Sequence, residues 1–228
     1  MRQTLYLASG NPGKLRELAA LAAEAVCLEL LPDYSQLPAA AEEASSFALN
    51  ALDKALHYSR FTDGLVVADD SGLVVDALGG APGTRSARYA HTGGGLPAGP
   101  NATDAANNRA LLTALADVPD EHRTARYICV LALARPVPPK ARLREQASGR
   151  YRARRPQLLA LFSDTCEGRI LSAPRGAGGF GYDPLFFFPP LNRSMAELSL
   201  EEKNRHSHRA RAFRKLLAYL KETPAVGD

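Results

Sequence analysis

The protein has 228 residues, 46% hydrophobic and 23% charged, which is the composition of a globular chain long enough to bury a sizeable core. No apolar run is long enough to span a membrane, and we expect no secretory signal because the first residues lack a basic start followed by a long apolar segment. The net charge is +4, yet residues 135–155 alone hold eight Lys or Arg against one Glu, so the rest of the chain is mildly acidic and is not a basic body.

The first element is a predicted strand over residues 4–8, which leads through a glycine-containing turn into a helix. Asn11 suits the N-cap of that helix and Pro12 its first position. Such a turn presents free backbone N–H groups and the positive end of a helix dipole, and Lys14 adds a full charge. We therefore expect this segment, which is not a Walker A loop, to bind phosphate. A plain strand-to-helix turn is the alternative.

Two acidic pairs follow. Glu42 and Glu43 precede a pattern in which Phe47, Ala51 and Ala55 share one helix face, and by themselves they are typical of acids that complement a helix dipole.

The second pair follows the apolar run over residues 65–68, which predicts a buried strand that ends at Asp69 and Asp70. Adjacent buried carboxylates repel each other and lose hydration, and a divalent cation would offset that cost. A simple turn at these acids is the alternative.

The second half of the chain alternates regular and irregular segments. Thr103 suits the N-cap of a helix that runs to about Leu115, and residues 125–134 predict a strand. Residues 91–102 are rich in Gly and Pro and predict a loop, whereas residues 135–160 predict an inserted loop or hairpin, with regular structure resuming near Leu161.

Aromatic and cationic residues cluster towards the end of the sequence. Phe180 and Tyr182 lie in a glycine-rich loop, where an aromatic ring can stack on a base or pack into the core, and both interpretations remain open for Tyr182. On an unbroken helix Lys203 and His208 would lie about 140° apart. We therefore predict a break near Ser207, which would cap the last helix and turn His208 and Arg209 back towards the other motifs.

These motifs together resemble the non-standard purine nucleoside triphosphate pyrophosphatases, the inosine triphosphatase-like or XTP/dITP diphosphatase family. The matching motifs, in the order of that family, are residues 9–14, residues 42–43 with Phe47 and Asn50, and residues 69–72, 78–83, 86–89, 180–184, 201–203 and 207–209. Each motif is weak by itself, but the ordered set is specific and covers nearly the whole chain apart from residues 91–102 and 135–160.

The resemblance implies a fold and a reaction. The fold would be mixed α/β, an elongated sheet flanked by helices with two lobes around a central cleft, formed by one domain over residues 1–225 with residues 135–160 as a basic insertion. The reaction would be Mg²⁺-dependent hydrolysis of ITP, dITP and XTP to the monophosphate and pyrophosphate. The resemblance also implies a homodimer that requires neither nucleic acid nor a membrane. Three cysteines without zinc-site or disulfide spacing favour a cytoplasmic location.

The resemblance assigns roles by position. Asp70 would be the proton acceptor and a metal ligand, with Glu42 or Glu43 as the second ligand. His208 and Arg209 would offer donors to O6 of the base, where adenine carries an amino group. The residues that would bind substrate are Ser9, Gly10, Asn11, Pro12, Gly13, Lys14, Ser71, Phe180, Gly181, Tyr182, Asp183, Lys203, His208 and Arg209.

Two other functions are compatible with the sequence. A related enzyme could remove other modified nucleotides, such as pyrimidine triphosphates. The second alternative is not an enzyme but a nucleic-acid-binding protein that would use the arginine-rich segment. However, the positive charge is confined to that segment, and the rest of the chain is mildly acidic.

Deletion of the basic residues 135–160 should leave triphosphate hydrolysis largely intact, because the segment matches no motif of the family. Steady-state kinetics on the deletion variant test this expectation. A variant that is folded by circular dichroism yet inactive would contradict it.

Overall fold

In a computed structural model of the protein, residues 2–22, 25–94, 101–136 and 156–223 are described. The strands are β1 (Thr4–Ala8), β2 (Cys27–Leu30), β3 (Leu65–Val75), β4 (Thr124–Arg135), β5 (Gln157–Ile170), β6 (Phe186–Phe188) and β7 (Arg193–Ser194). They form a seven-stranded sheet in the order β2-β1-β3-β4-β5-β6-β7. β1 is parallel to both β2 and β3, whereas β6 is antiparallel to β5 and β7. The predicted mixed α/β class is therefore confirmed.

The α-helices in the described part of the chain are α1 (Pro12–Ala22), α2 (Phe47–Tyr58), α3 (Asp104–Ala114), α4 (Leu200–His206) and α5 (His208–Glu222). The predicted cap of α3 is confirmed, since the Thr103 side chain accepts a hydrogen bond from the N–H of Ala106. None of the helices described is long and apolar enough to cross a bilayer.

The chain divides into two compact units. The first unit comprises Met1–Asp70, Val130–Phe162 and Ala212–Asp228, and the second comprises Ser71–Cys129 and Ser163–Arg211. A single domain with a cleft between two lobes stays a prediction.

The first unit is built on two parallel crossovers. β1 leads through α1 to β2 on one side, and β2 leads through α2 to β3 on the other side of β1. Because such crossovers are right-handed, the reversal of direction places α1 and α2 on opposite faces of the sheet. The side chains between these layers are fully buried, among them Leu5, Leu7, Leu18, Ala51, Ala55, Val66 and Val67.

β3 is longer than the sequence predicts. The predicted strand ends at Ala68, but β3 continues through Asp69 and Asp70 to Val75, so the turn interpretation of the acids is wrong. Ala68 is the last residue of β3 that pairs with β1, opposite Ala8. The two acids therefore lie where β3 runs past the carboxyl end of β1. Ligands of α/β sheets bind at such a reversal in strand order.

The second unit has its own core. It combines β-strand and loop residues with the buried face of α3, and its fully buried members include Leu73, Val75, Leu111, Leu115, Leu185 and Phe186. Tyr182 belongs to the same cluster with 4% exposure. Of the two interpretations of Tyr182, the packed core is therefore correct.

The predicted helix break is confirmed. α4 ends at His206, Ser207 is extended with φ −66° and ψ 149°, and α5 begins at His208. The hydroxyl of Ser207 accepts a hydrogen bond from the N–H of Ala210 at 3.2 Å. The capping box of α4 between Ser199 and Glu202 is also present.

Two segments predicted from the sequence fall partly outside the described residues. The basic segment lies there over residues 137–155, and the Gly/Pro-rich segment over residues 95–100. β5 begins at Gln157 rather than near Leu161.

Substitution of Ser207 by Ala should lower the free energy of unfolding by about 1 kcal/mol, because the first turn of α5 loses its side-chain cap. Urea denaturation measures the change. The matched control is Ser35→Ala on an exposed 3₁₀ turn, which should change stability by less than about 0.5 kcal/mol. Equal stability of the Ser207 variant and wild type would contradict the capping role.

Candidate active site

The turn after β1 is held by its own side chains. The Asn11 carboxamide oxygen accepts hydrogen bonds from the N–H groups of Gly13 at 2.8 Å and Lys14 at 3.3 Å. The Asn11 N–H in turn donates to the hydroxyl of Ser9. Asn11 therefore caps α1 as predicted. Two of the N–H groups that the sequence leaves free for an anion are already occupied, so the full charge of Lys14 becomes the main attraction for phosphate.

Two lysines lie beside the acids of β3. Lys14 forms an ion pair with Asp69, whose side chain is completely buried. Lys54 pairs with Glu42 at 2.7 Å and also donates to the backbone carbonyl of Asp69 at 3.4 Å. Lysines from α1 and α2 thus lie beside Asp69 and supply part of the compensation that the sequence alone assigns to a metal ion.

Asp70 has a different environment from Asp69. Successive strand residues point to opposite faces, so Asp69 meets Lys14 of α1 while Asp70 meets Asn50 of α2. The amide of Asn50 donates to Asp70 at 3.0 Å and is itself fixed by two hydrogen bonds with the backbone of Ala44. Burial raises the pKa of Asp70 from 3.8 to about 6, and the Asn50 hydrogen bond and the two lysines oppose that rise. Asp70 is therefore a carboxylate with the basicity that a general base needs near neutral pH.

The structure separates Glu42 from Glu43. Glu42 is half-buried and pairs with Lys54, whereas Glu43 is exposed. The helix-dipole interpretation of this pair is wrong, since α2 begins only at Phe47 and has no acid in its first turn. Among the residues described, no group of three or more His, Cys, Asp or Glu side chains could hold a metal ion.

Asp183 organises the site residues of the second unit. Its carboxylate pairs with Lys203 at 2.5 Å and accepts the backbone N–H of Phe180 at 2.8 Å. The hydroxyl of Tyr127 donates to its other oxygen at 3.3 Å. Asp183 and Lys203 are 3% and 5% exposed, so removal of either partner would leave an uncompensated buried charge.

Of the two aromatic residues predicted in this loop, Phe180 is the one whose ring remains accessible. It is half-buried, with the Lys203 ammonium 4.8 Å and the Arg209 guanidinium 5.4 Å from its centroid. Arg209 also donates to the hydroxyl of Ser71 at 3.0 Å. By contrast, the hydroxyl of Tyr182 donates to the carbonyl of Ser86 inside the core, where burial raises its pKa. Phe180, rather than Tyr182, therefore has a ring available for stacking.

Tyr127 is a site residue that the sequence does not reveal. Its ring stacks on His208, with centroids 4.8 Å apart and planes inclined by 12°. Both residues are buried, and burial with the neighbouring Asp183 carboxylate raises the pKa of Tyr127. Its only sequence signal is its place within a predicted strand, so nothing local distinguishes it from a core residue.

Comparisons with known proteins agree on one family. The model of the Ham1 family matches residues 5–219. The dITP/XTP pyrophosphatase of Geobacillus kaustophilus is 46% identical over 213 residues, covering 93% of this chain and 91% of that protein. The dITP/XTP pyrophosphatase of Pseudomonas syringae pv. tomato is 48% identical over 213 residues, 92% of each chain. Among solved structures, a HAM1 protein from Coxiella burnetii matches with a TM-score of 0.74 and 36% identity over 97% of this chain and 100% of that chain.

Substitution of Asp70 by Asn should stabilise the metal-free protein at pH 8 by up to about 3 kcal/mol. This is the free energy that corresponds to the rise of the Asp70 pKa from 3.8 to about 6 on folding. Because the folded protein raises this pKa to about 6, the ionised form is penalised above that pH, and the penalty vanishes below 3.8. The gain should therefore shrink at pH 4. Urea denaturation in a chelating buffer measures it, with Asp53→Asn on the exposed face of α2 as the control. No difference between the two pH values would contradict the desolvation of Asp70.

Proposed function

The chain belongs to the Ham1 family, and from that membership and the geometry above we propose that it hydrolyses ITP, dITP and XTP to the monophosphate and pyrophosphate. The observation that carries the proposal is the contrast between the two acids of β3. Asp69 is neutralised by Lys14, while Asp70 is a buried carboxylate with a raised pKa and an oriented hydrogen bond from Asn50. One acid anchors a phosphate-binding lysine and the other is left basic enough to act on water.

In this proposal the phosphates are bound by the first unit. Lys14 and the turn over residues 9–13 meet the triphosphate, and Lys54 adds charge from α2. Asp70 orients a water molecule towards the α-phosphorus and accepts its proton as the oxygen–phosphorus bond forms. The bond from the α-phosphorus to the bridging oxygen then breaks, and pyrophosphate leaves with the negative charge that the lysines stabilise.

The chemistry of the donors fits a Mg²⁺ ion. Mg²⁺ is usually held by one or two carboxylates together with water and substrate phosphates. Asp70 and Glu42 are the carboxylates that would hold it, because Glu43 is exposed. When bound, the ion would supply positive charge to the phosphates and acidify water. Since no cluster of three or more ligands exists among the described residues, we expect tight binding of the ion only together with nucleotide.

The base is assigned to the second unit. Phe180 stacks on the purine, and its flanking Lys203 and Arg209 leave the ring half-buried rather than covered. His208 and Arg209 offer donors to O6, and Tyr127 holds the His208 ring in one orientation. Adenine presents an amino group at that position, so these buried donors would meet another donor in its complex rather than an acceptor. Ser71, Gly181 and Asp183 support the same site, whereas Tyr182 acts through the core.

Assembly and location are also part of the proposal. A cytoplasmic homodimer that does not need nucleic acid follows from the resemblance. None of the three cysteines, Cys27, Cys129 and Cys166, forms a disulfide, which suits a reducing compartment. Sedimentation of the purified protein tests the dimer.

Pyrophosphate release from dITP should exceed that from dATP by at least about 100-fold in kcat/KM, because a site built around polar contacts rejects a base that leaves them unpaired. The test compares dITP, dATP, dGTP and a modified pyrimidine triphosphate, with and without Mg²⁺. Release should stop when the metal is chelated. Preference for the pyrimidine would overturn the assignment in favour of another nucleotide-cleansing reaction.

Substitution of Asp70 by Asn should lower kcat by about 10²- to 10⁴-fold, which is the usual contribution of a general base. Nucleotide binding, measured by calorimetry, should survive because the lysines remain. Asp53→Asn serves again as the control and should retain wild-type turnover. Near-normal kcat in the Asp70 variant would remove this residue from the mechanism.

A further inference from the structure

The loop that carries Phe180 is held from one side by α3. The carboxylate of Asp104 accepts the backbone N–H of Gly181 at 2.7 Å. One turn later, the amide of Asn108 donates to the backbone carbonyl of Gly181 at 3.0 Å. Both polar groups of this glycine are therefore bound by side chains of a single helix. Neither Asp104 nor Asn108 belongs to a motif that the sequence singles out.

These bonds act directly on the position of Phe180. The N–H of Phe180 is already bound to Asp183, and Gly181 is the next residue in the chain. Gly181 has φ +64°, a conformation that favours glycine, so its backbone is defined by contacts rather than by its own preference. With hydrogen bonds on both sides of the Phe180 Cα, the direction in which its side chain leaves the backbone is set before any ligand arrives.

α3 is itself anchored, so the contact is with a fixed element. The side chain of Asn107 accepts the N–H of Ala90 at 2.9 Å and donates to the carbonyl of Ala87 at 3.1 Å. Asn107 is 3% exposed and directly precedes Asn108. Consecutive amides thus connect α3 to the 3₁₀ segment around Ala87 and to the loop around Gly181.

We propose that Asp104 and Asn108 are positioning residues for base binding, which hold the Gly181 peptide groups and thereby pre-orient the Phe180 ring for stacking. The inference rests on the proposed function, in which Phe180 stacks on the purine. Pre-orientation removes an ordering cost from binding, so loss of either contact weakens the Michaelis complex. Stacking does not read the exocyclic groups of the base, so the loss affects dITP and dATP equally.

Two isosteric substitutions give opposite expectations. Asp104→Asn keeps an acceptor for the Gly181 N–H and should leave KM near wild type. Asn108→Asp replaces the donor by an acceptor that faces the Gly181 carbonyl, and it should raise KM for dITP about tenfold, within the range for loss of base stacking. Asn108→Ala and Asp104→Ala, which remove a contact without adding repulsion, should also raise KM, and Thr113→Ala on the exposed side of α3 is the control.

The kinetic pattern separates positioning from general destabilisation. A positioning role raises KM for dITP and dATP by the same factor, with kcat changed by less than about threefold. A partly unfolded variant would lower kcat through loss of active protein and leave KM unchanged. Wild-type KM values in both alanine variants would overturn the proposal.

A second readout does not depend on turnover. The chain contains no tryptophan, so Phe180→Trp introduces a single fluorescent reporter at the stacking position. In that background, Asp104→Ala and Asn108→Ala should lower the fluorescence anisotropy of Trp and increase its quenching by acrylamide, whereas Thr113→Ala should change neither. Unchanged anisotropy and quenching in both variants would show that α3 does not hold the ring.

The outcomes distinguish this proposal from the proposed function. If the wild-type protein hydrolyses dITP and the reporter does not respond to either alanine substitution, the positioning role fails while the function stands. If the reporter responds but the wild-type protein shows no preference for dITP, the proposed function is wrong. The contacts from α3 would then still hold Phe180, but not for purine binding.

Discussion

Burial of two adjacent carboxylates is the constraint on which the site of the first unit depends. Desolvation disfavours both charges, and the chain compensates them unequally. Asp69 receives a cation, while Asp70 receives an amide hydrogen bond and only the more distant field of the lysines. The difference follows from strand geometry, because neighbouring residues of β3 face helices on opposite sides of the sheet. Two chemically identical residues thereby lie in different electrostatic environments, and burial raises the pKa of Asp70.

The second unit also contains a buried carboxylate, but there the charge is compensated more completely. Asp183 is buried, but it is compensated by Lys203, a backbone N–H and the hydroxyl of Tyr127. A carboxylate so fully bonded is suited to orientation rather than to proton transfer. It ties Phe180, Lys203 and Tyr127 together, and through Tyr127 it reaches His208. The proposed reaction therefore combines an under-compensated acid for the chemistry with a fully compensated acid for binding.

Structural features that depend on neighbouring residues in the chain were predictable from the sequence, whereas features that depend on tertiary contacts were not. The caps at Asn11, Thr103 and Ser207 were predictable because each needs only the residues that follow it. The end of β3 was predicted wrongly, since adjacent acids disfavour a strand until lysines from other elements compensate them. Tyr127, Asp104 and Asn108 were missed because their partners are 56 to 81, 77 and 73 residues away in the chain. The mixed sheet itself was implied by the ordered family motifs.

The run of β3 past the end of β1 also has a consequence for how this segment can change over evolutionary time. Ala68 is in register with Ala8, and the next two residues are presented to opposite sides of the sheet. Insertion or deletion of one residue between Leu65 and Asp69 would exchange those sides. Asp70, which now contacts α2, would then face α1. Substitutions of the apolar residues would alter packing only by degrees. A change in the length of this segment would therefore disturb the site more than a change in its composition.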